Sequence, residues 1–393
     1  MGAIDGVRII DLTRVLGGPY CTQALADHGA DIIKLEPPQG DETRGWGPPF
    51  DAGLSAYFAG ANRNKRSIIV DLNQDDGKDL LLELLQDADV LIHNLKAGTL
   101  EKWGLGYDAV LQPRFPKLIY CHITGFGETG PLGALPGYDA VVQAMSGMMS
   151  INGTPESGPV RVGTPMVDLG TGLYAAIAIM MALYERDRSH KGQKIDVSLY
   201  DCAIALLHPH GPNALMSGKT PTPTGNAHPN ISPYDTYKTG TVPIFLAVGN
   251  DRQFQKLCDL LDAPEIGANP DYATNADRLA NRDDLKIALE AKLAPLDGHQ
   301  SATKLLHSGV PAGAVSNIKE VIEAAHTAHR DMIIEIGRYK GLGVPAKLSR
   351  TPGNPKLPPP GLGQHTIDIC REIGLDDGQI QALIDRGVVK AGS

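Results

Sequence analysis

Along the first half of the chain, short β-branched runs alternate with segments whose apolar residues recur at helical spacing. Val7–Asp11, Asp31–Glu36, Ser67–Asp71, Val90–His93 and Leu118–Ile123 read as strands, and Cys21–His28 and Asp79–Ala88 as helices, the second with an amphipathic leucine spacing. Strands alternating with helices predict parallel βαβ units with helices on both faces of one sheet. Two strongly apolar helical stretches, Asp139–Met149 and Asp168–Tyr184, and a strand, Lys194–Ser198, close this half.

The pattern then changes. Residues 208–233 are crowded with Pro, Gly, Asn and Thr and read as a linker followed by a functional loop. Phe245–Val248 reads as a strand, and Phe254–Leu261 and Arg282–Leu293 as helices of a smaller α+β unit. A second Pro/Gly-rich stretch, Thr351–Gly363, precedes a helical tail around Thr366–Ile384. The expected organisation is a large α/β domain beginning in residues 1–205, a linker at 206–224, a small domain at 225–325, and a return segment at 326–393.

Composition narrows the class. With 42% hydrophobic and 21% charged residues, the 393-residue chain has enough apolar content for a packed core and is not of the disordered class. A net charge of -9 argues against a general nucleic-acid or anionic-membrane surface, while leaving room for one local basic pocket. The five cysteines, Cys21, Cys121, Cys202, Cys258 and Cys370, form no CxxC pair, so no metal site and a reduced cytoplasmic setting are expected. The first fifteen residues lack the basic-then-apolar pattern of a signal peptide. The apolar run Leu169–Tyr184 has polar breaks and falls short of the roughly 18 residues of a membrane span, which predicts a buried helix.

Gly125-Phe-Gly127-Glu-Thr-Gly130 is a literal GxGxxG after a predicted strand. A dinucleotide fingerprint needs a helix opening inside the motif, and here Pro131 through Gly137 read as a loop, so a glycine-rich connection is expected. P-loop, HExxH and GxSxG patterns do not occur. His28, His93 and His122 lie in apolar segments and are expected to be hydrogen-bonded structural residues.

Asp168 stands between an apolar run and a long apolar helix. Its position predicts a helix N-cap. A helix N-terminus also favours an adjacent carboxylate, which would keep a desolvated Asp168 ionised, as a nucleophile requires. An aspartate attacking a thioester forms a mixed anhydride that a thiolate or a second carboxylate opens. That chemistry needs neither metal nor histidine.

The order of short motifs along the chain resembles the family III CoA-transferases, the CaiB–BaiF family. The residues are Asp11-Leu-Thr-Arg-Val15, Gly18-Pro19, Leu25 through Pro38, Gly40-Asp41, Arg44-Gly45, Asn64-Lys65-Arg66-Ser67 and Asp71-Leu72. Further along come Gly125-Phe-Gly127, Gly137-Tyr138-Asp139, Gln143 to Gly147, Gly158 to Gly163, Gly225 to Pro229, Val248 to Asp251 and Leu362 to Thr366. The resemblance implies an interlocked homodimer, each large Rossmann-like domain being built from both chain ends. It implies that Asp168 is the nucleophile, carrying first the acyl group and then CoA. It places CoA, a substrate rather than a tightly bound cofactor, against Leu16, Gly17, Val70, Asp71, Leu72, Asn73, Asn94, Leu95, Lys102, Pro136, Gly137, Tyr138 and Asp139. Gly225, Asn226, His228 and Asn230 would belong to a flexible loop over the acid substrate.

Two departures bear on specificity. Formyl-CoA transferases carry glutamine where this chain has Leu16, and a glycine run where it has His228-Pro229-Asn230-Ile231. The racemase branch has histidine at the position of Tyr138, and a phenol with its pKa near 10 suits hydrogen bonding better than proton abstraction. CoA transfer from an acyl-CoA, succinyl-CoA among the candidates, to a free carboxylic acid is the expected activity. A 2-methylacyl-CoA racemase or epimerase, a CoA-binding protein without chemistry and a nicotinamide oxidoreductase stay open as alternatives.

Overall fold

The computed structural model describes residues 1–392. Six strands of its central sheet are parallel: β1 (Arg8–Asp11), β2 (Asp31–Glu36), β3 (Lys65–Val70), β4 (Val90–His93), β5 (Ile119–Thr124) and β6 (Lys194–Ser198). A smaller antiparallel sheet follows in the chain, made of β7 (Tyr234–Tyr237), β8 (Ile244–Ala247) and β9 (Ala312–Ala314). The last strand, β10 (Val389–Lys390), returns to the central sheet antiparallel to β3. The central order is β6-β5-β4-β1-β2-β3-β10, so the chain winds outward in both directions from β1 and β4.

Strand residues alternate between two cores. Ile10, Ile33, Ile68, Val70 and Leu91 face one cluster with the leucines of helix α2 (Asp75–Leu84), while Ile9, Ile32, Val90 and Ile92 face another. The second cluster packs against helix α1 (Gly17–Asp27) and the long helix α4 (Met166–Ser189), which helix α3 (Asp139–Met145) precedes in the chain. Burying each such side chain contributes about 1.5–3 kcal/mol.

Backbone contacts divide the chain into two compact units. One holds residues 1–148, 161–208 and 325 onward; the other holds 149–160 and 209–324, around a core including Ile244, Leu246, Phe254, Leu257, Leu285 and Leu289. Residues 149–160 thus join the second unit rather than the stretch 1–205. The expected linker contains a helix, His210–Ser217, and the expected C-terminal helix is two, Thr366–Glu372 and Asp377–Asp385, broken at Gly374 with φ +90°.

Helix α4 differs from expectation in length and burial. It runs 24 residues, enough by length and composition alone to cross a membrane. Val167, Thr171, Ala175, Ile179 and Ala182 are buried on one side. Leu173, Tyr174, Ile177, Met181 and Tyr184 form an exposed apolar row, Met181 at 65% and Tyr184 at 67%. A helix apolar on two faces is buried on only one here, so the expected fully buried helix is corrected to a half-covered one.

Candidate active site

In a sheet wound this way the crevice for a ligand lies beyond the carboxyl ends of the two strands where the winding reverses, here β1 and β4. The segments after β1, β4 and β5 line a cavity of about 270 Å³ there, and Leu16, Gly17, Asn94, Leu95, Pro136, Gly137, Tyr138 and Asp168 are among its walls. Val70, Asp71, Leu72 and Asn73, at the end of β3, line a second cavity of about 170 Å³ with Trp103. Leu95 borders both. Lys102 lies on the exposed side of its helix turn and lines neither cavity; Asp139 is buried and lines neither. Sequence reasoning missed Arg14, which borders both cavities, and Lys96, which borders the first. The available signal was a cation two residues before Leu16 in the first βα turn.

That turn is held by charges inside the sheet. Asp11 and Lys65 are fully buried, and Lys65 Nζ donates to Asp11 Oδ2 at 3.3 Å, to Asn62 Oδ1 at 2.9 Å and to the Pro19 carbonyl at 2.9 Å. Lys34 Nζ, also buried, donates to the Thr13 carbonyl at 2.8 Å and to Asp41 Oδ2 at 3.0 Å. Burial pushes the Asp11 carboxyl up, but Lys65, Lys34 and the Thr13 and Thr22 hydroxyls outweigh it and hold it below the usual carboxylate range. Burial also lowers Lys65, to about 8, against the opposing pull of Asp11. Between these anchors Val15 adopts φ 71°, a left-handed conformation that costs a β-branched residue on the order of 1–3 kcal/mol. Asn94 completes the turn, accepting from the Arg14 amide at 2.9 Å and donating to the Arg14 carbonyl at 2.7 Å.

Asp168 has a different environment. It sits inside the first turn of α4, with Pro165 at the capping position, so the expected N-cap role is corrected. Asp139 does the capping: its Oδ2 accepts from the Val167 amide at 2.8 Å and the Asp168 amide at 3.1 Å, and its Oδ1 accepts from Gln143 at 2.6 Å. The helix-end donors expected to keep Asp168 ionised are therefore spent on a neighbouring carboxylate. Burial first, and the negative charge of Asp139 second, push Asp168 up to about 7. Gly17 lies against it, since a Cβ on Gly17 would stand 3.2 Å from the Asp168 carbonyl and 3.6 Å from its Oδ1. Glycine there leaves the carboxylate open to the cavity.

The GxGxxG segment is a loop, with no helix before α3. Gly125 serves packing, since a Cβ on it would lie 2.6 Å from the Gly137 nitrogen, whereas Gly127 and Gly130 take φ 86° and 89°. Below it, His122 bonds Glu128 at 2.6 Å and the Leu95 carbonyl at 2.9 Å, as expected of a structural histidine. His93 bonds the Tyr120 hydroxyl at 2.6 Å through Nε2, as expected, although its Nδ1 is buried without a partner among the described residues; His28 Nδ1 is likewise buried without one, which corrects the expectation for His28. Among the described residues no cluster suited to a metal ion occurs.

In the second unit, Gly225 takes φ 63° and its amide donates to the Gly153 carbonyl at 2.8 Å. Gly225 and Asn226 line an open cavity of about 660 Å³ with Arg282. His228 and Asn230 do not line it; the Asn230 amide donates to His228 Nδ1 at 3.0 Å and its side chain accepts from Asn213 at 2.8 Å.

Fold and site together define an α/β protein with a groove at the carboxyl ends of its strands, lined by a partly buried carboxylate that makes no ion pair among the described residues. The family model for CoA-transferase family III matches residues 4–366, and the chain belongs to that family. It is 40% identical over 382 residues to a succinate–glutarate CoA-transferase of Agrobacterium fabrum, covering 94% of this chain and 95% of that protein. It is also 40% identical over 368 residues to an acetyl-CoA:oxalate CoA-transferase of Acetobacter aceti, covering 91% and 93%. A CAIB/BAIF family protein from Brucella suis of known structure superposes with a TM-score of 0.86 at 41% identity, covering 95% of this chain and 99% of that one. The protein is thus an enzyme of CoA transfer between acyl-CoA and free acid.

Proposed function

We propose that the protein moves CoA from a short acyl-CoA, succinyl-CoA first among donors, to a free dicarboxylic acid, with Asp168 as nucleophile. The observation that carries this reading is the Asp168 carboxylate, lining the first cavity beside Gly17 and in no ion pair among the described residues. The carboxylate attacks the thioester carbonyl, the C–S bond breaks, and a mixed anhydride forms with release of CoA thiolate. The thiolate attacks the Asp168 side of the anhydride and expels the donor acid, leaving an aspartyl-CoA thioester. The incoming acid attacks that thioester, and the thiolate then takes the acyl group, restoring Asp168.

A panel of free acids including glutarate, oxalate and monocarboxylates, each mixed with succinyl-CoA and acetyl-CoA, tests this by mass. New CoA esters are expected with the wild type and none with Asp168→Asn. Full turnover in Asp168→Asn overturns the reading, and so does silence across the panel with deuterium wash-in at the α-carbon of a 2-methylacyl-CoA. Two relatives of equal identity act on different acids, and a methylene is worth about 1–3 kcal/mol of discrimination, so pocket shape and not overall similarity sets the pair.

The working form we propose is a homodimer, interlocked because the first unit is made of both chain ends, and joined through the exposed row on α4. Light scattering is expected to give twice the chain mass, and Met181→Glu to lower the melting temperature of that dimer. A reducing cytoplasmic location fits five cysteines that are all buried and free.

A further inference from the structure

The two cavities in the first unit have two lining residues in common, Arg14 and Leu95, so Arg14 stands at the boundary between them. Asp168 lines the first cavity, and a thioester must be delivered to it. The second has apolar walls, Leu12, Leu35, Val70, Leu72 and Trp103, suited to a flat aromatic base. In an acyl-CoA the group lying between the thiol arm and the base is a diphosphate. A ligand spanning both cavities therefore sets that diphosphate at their boundary.

Arg14 is half-buried, and among the described residues its guanidinium makes neither a hydrogen bond nor an ion pair. Such a cation leaves a fork of five donors unused, and that fork matches phosphate oxygens two at a time. Lys96, the other cation of the first cavity, is exposed and borders that cavity alone. Of the nearby carboxylates, Asp71 accepts from Asn73 and Gln74, and Glu42 is exposed. The backbone of Arg14 is fixed on both sides by Asn94 and the following residue is held at positive φ, so the side chain starts from a preset position.

We propose that Arg14 binds the diphosphate of the acyl-CoA and is the principal cation reading the nucleotide half of the substrate. This rests on the reading of the groove as an acyl-CoA site, and the test separates the two. Because the Asn94 clamp uses only the backbone of Arg14, Arg14→Gln keeps the turn in place. The variant is compared with wild type on succinyl-CoA, its dephospho-CoA analogue lacking the 3′-phosphate, and succinyl-pantetheine, and by calorimetric titration with CoA itself. Loss of a charge-assisted pair is expected to raise KM for both diphosphate-bearing thioesters, and the Kd for CoA, roughly ten- to hundred-fold, with kcat and the succinyl-pantetheine KM unchanged. Arg14→Lys is expected to recover part of the loss. An equal loss on succinyl-pantetheine overturns the proposal by making Arg14 a structural residue. A loss on succinyl-CoA but not on the dephospho analogue overturns it in favour of the 3′-phosphate, and no loss overturns it outright. If wild type binds CoA through Arg14 yet transfers it to no acid, the functional reading fails and this one stands; if wild type does not bind CoA, both fail.

Discussion

The first βα turn and the start of α4 both bury carboxylates beside one cavity, and they leave them in opposite states. Around the turn, Asp11 at the end of β1 and Asp41 from the segment after β2 are buried with Lys65 and Lys34 against them, and both are held below the usual carboxylate range although burial alone would raise them. At α4, Asp168 is less completely buried, meets no cation among the described residues and is pushed up to about 7. Burial does not decide ionisation; the partner does. The paired carboxylates are committed to holding backbone, whereas the unpaired one keeps its lone pairs for a substrate. Desolvation makes Asp168 a stronger nucleophile once ionised, at the cost of being half-protonated near neutrality.

Removing a charge should therefore act with opposite sign in the two regions. Asp168→Asn is expected to lower transfer turnover at least about a thousand-fold, because an amide cannot supply the anhydride oxygen that the Asp168 carboxylate supplies. The same variant should be more stable than wild type at pH 8, by about 1–3 kcal/mol after allowing for partial solvent access. A carboxyl with a raised folded pKa is protonated in both states below its unfolded value and costs nothing there, while above 7 it is ionised in both states and its burial carries the full cost. The gain should accordingly shrink as pH falls from 7 towards 4, which urea unfolding across that range measures. Lys65→Met removes the cation from Asp11 and should destabilise by about 3–5 kcal/mol at pH 7, with the loss read in the same unfolding experiment. If both variants moved stability in the same direction, the contrast between the regions would be broken.

Much of this frame was legible in the chain. Runs such as Asp31–Glu36 and Val90–His93 predicted the parallel sheet because a strand buried on two faces must be apolar throughout, and these two were placed to the residue. Helix starts were less legible. Gly17-Gly18-Pro19 opens α1 four residues before the predicted Cys21, because proline and glycine are poor helix formers yet acceptable in a first turn. At the site, Asp168 stood out by position, and the motif residues Lys34 and Lys65 were noticed without a role. Their function depends on which strands are neighbours: Asp11 and Lys65 lie 54 residues apart and meet only through β1, β2 and β3. Arg14 stands in the Asp11-Leu-Thr-Arg-Val15 motif but has no legible role there for a related reason, since its surroundings are made by the ends of β3 and β4. The capping of α4 by Asp139, from 28 residues upstream of Val167, likewise overrode a local rule that would have placed Asp168 at the cap.

The smallest change sharpens the comparison most. Asp139→Asn removes the negative charge that Asp168 faces while leaving one side-chain oxygen to accept from the Val167 and Asp168 amides. The new amide group would meet Gln143 Nε2, which now donates to Asp139, and Gln143 is not free to flip because its own Oε1 accepts from the Val162 amide at 2.8 Å. One hydrogen bond is therefore lost, a cost of about 1 kcal/mol. The acid limb of kcat/KM, which reports the free enzyme's nucleophile, is expected near pH 7 in the wild type, with activity rising as pH increases through it. With the repulsion from Asp139 gone, that limb should move down in Asp139→Asn, since only desolvation remains to raise Asp168. At pH 6 the variant should then keep a larger share of its plateau rate than the wild type does, even if the plateau itself falls. A limb that stays at 7 would assign the whole shift to desolvation and reduce Asp139 to a cap; a limb that moves up would overturn the assigned repulsion between Asp139 and Asp168.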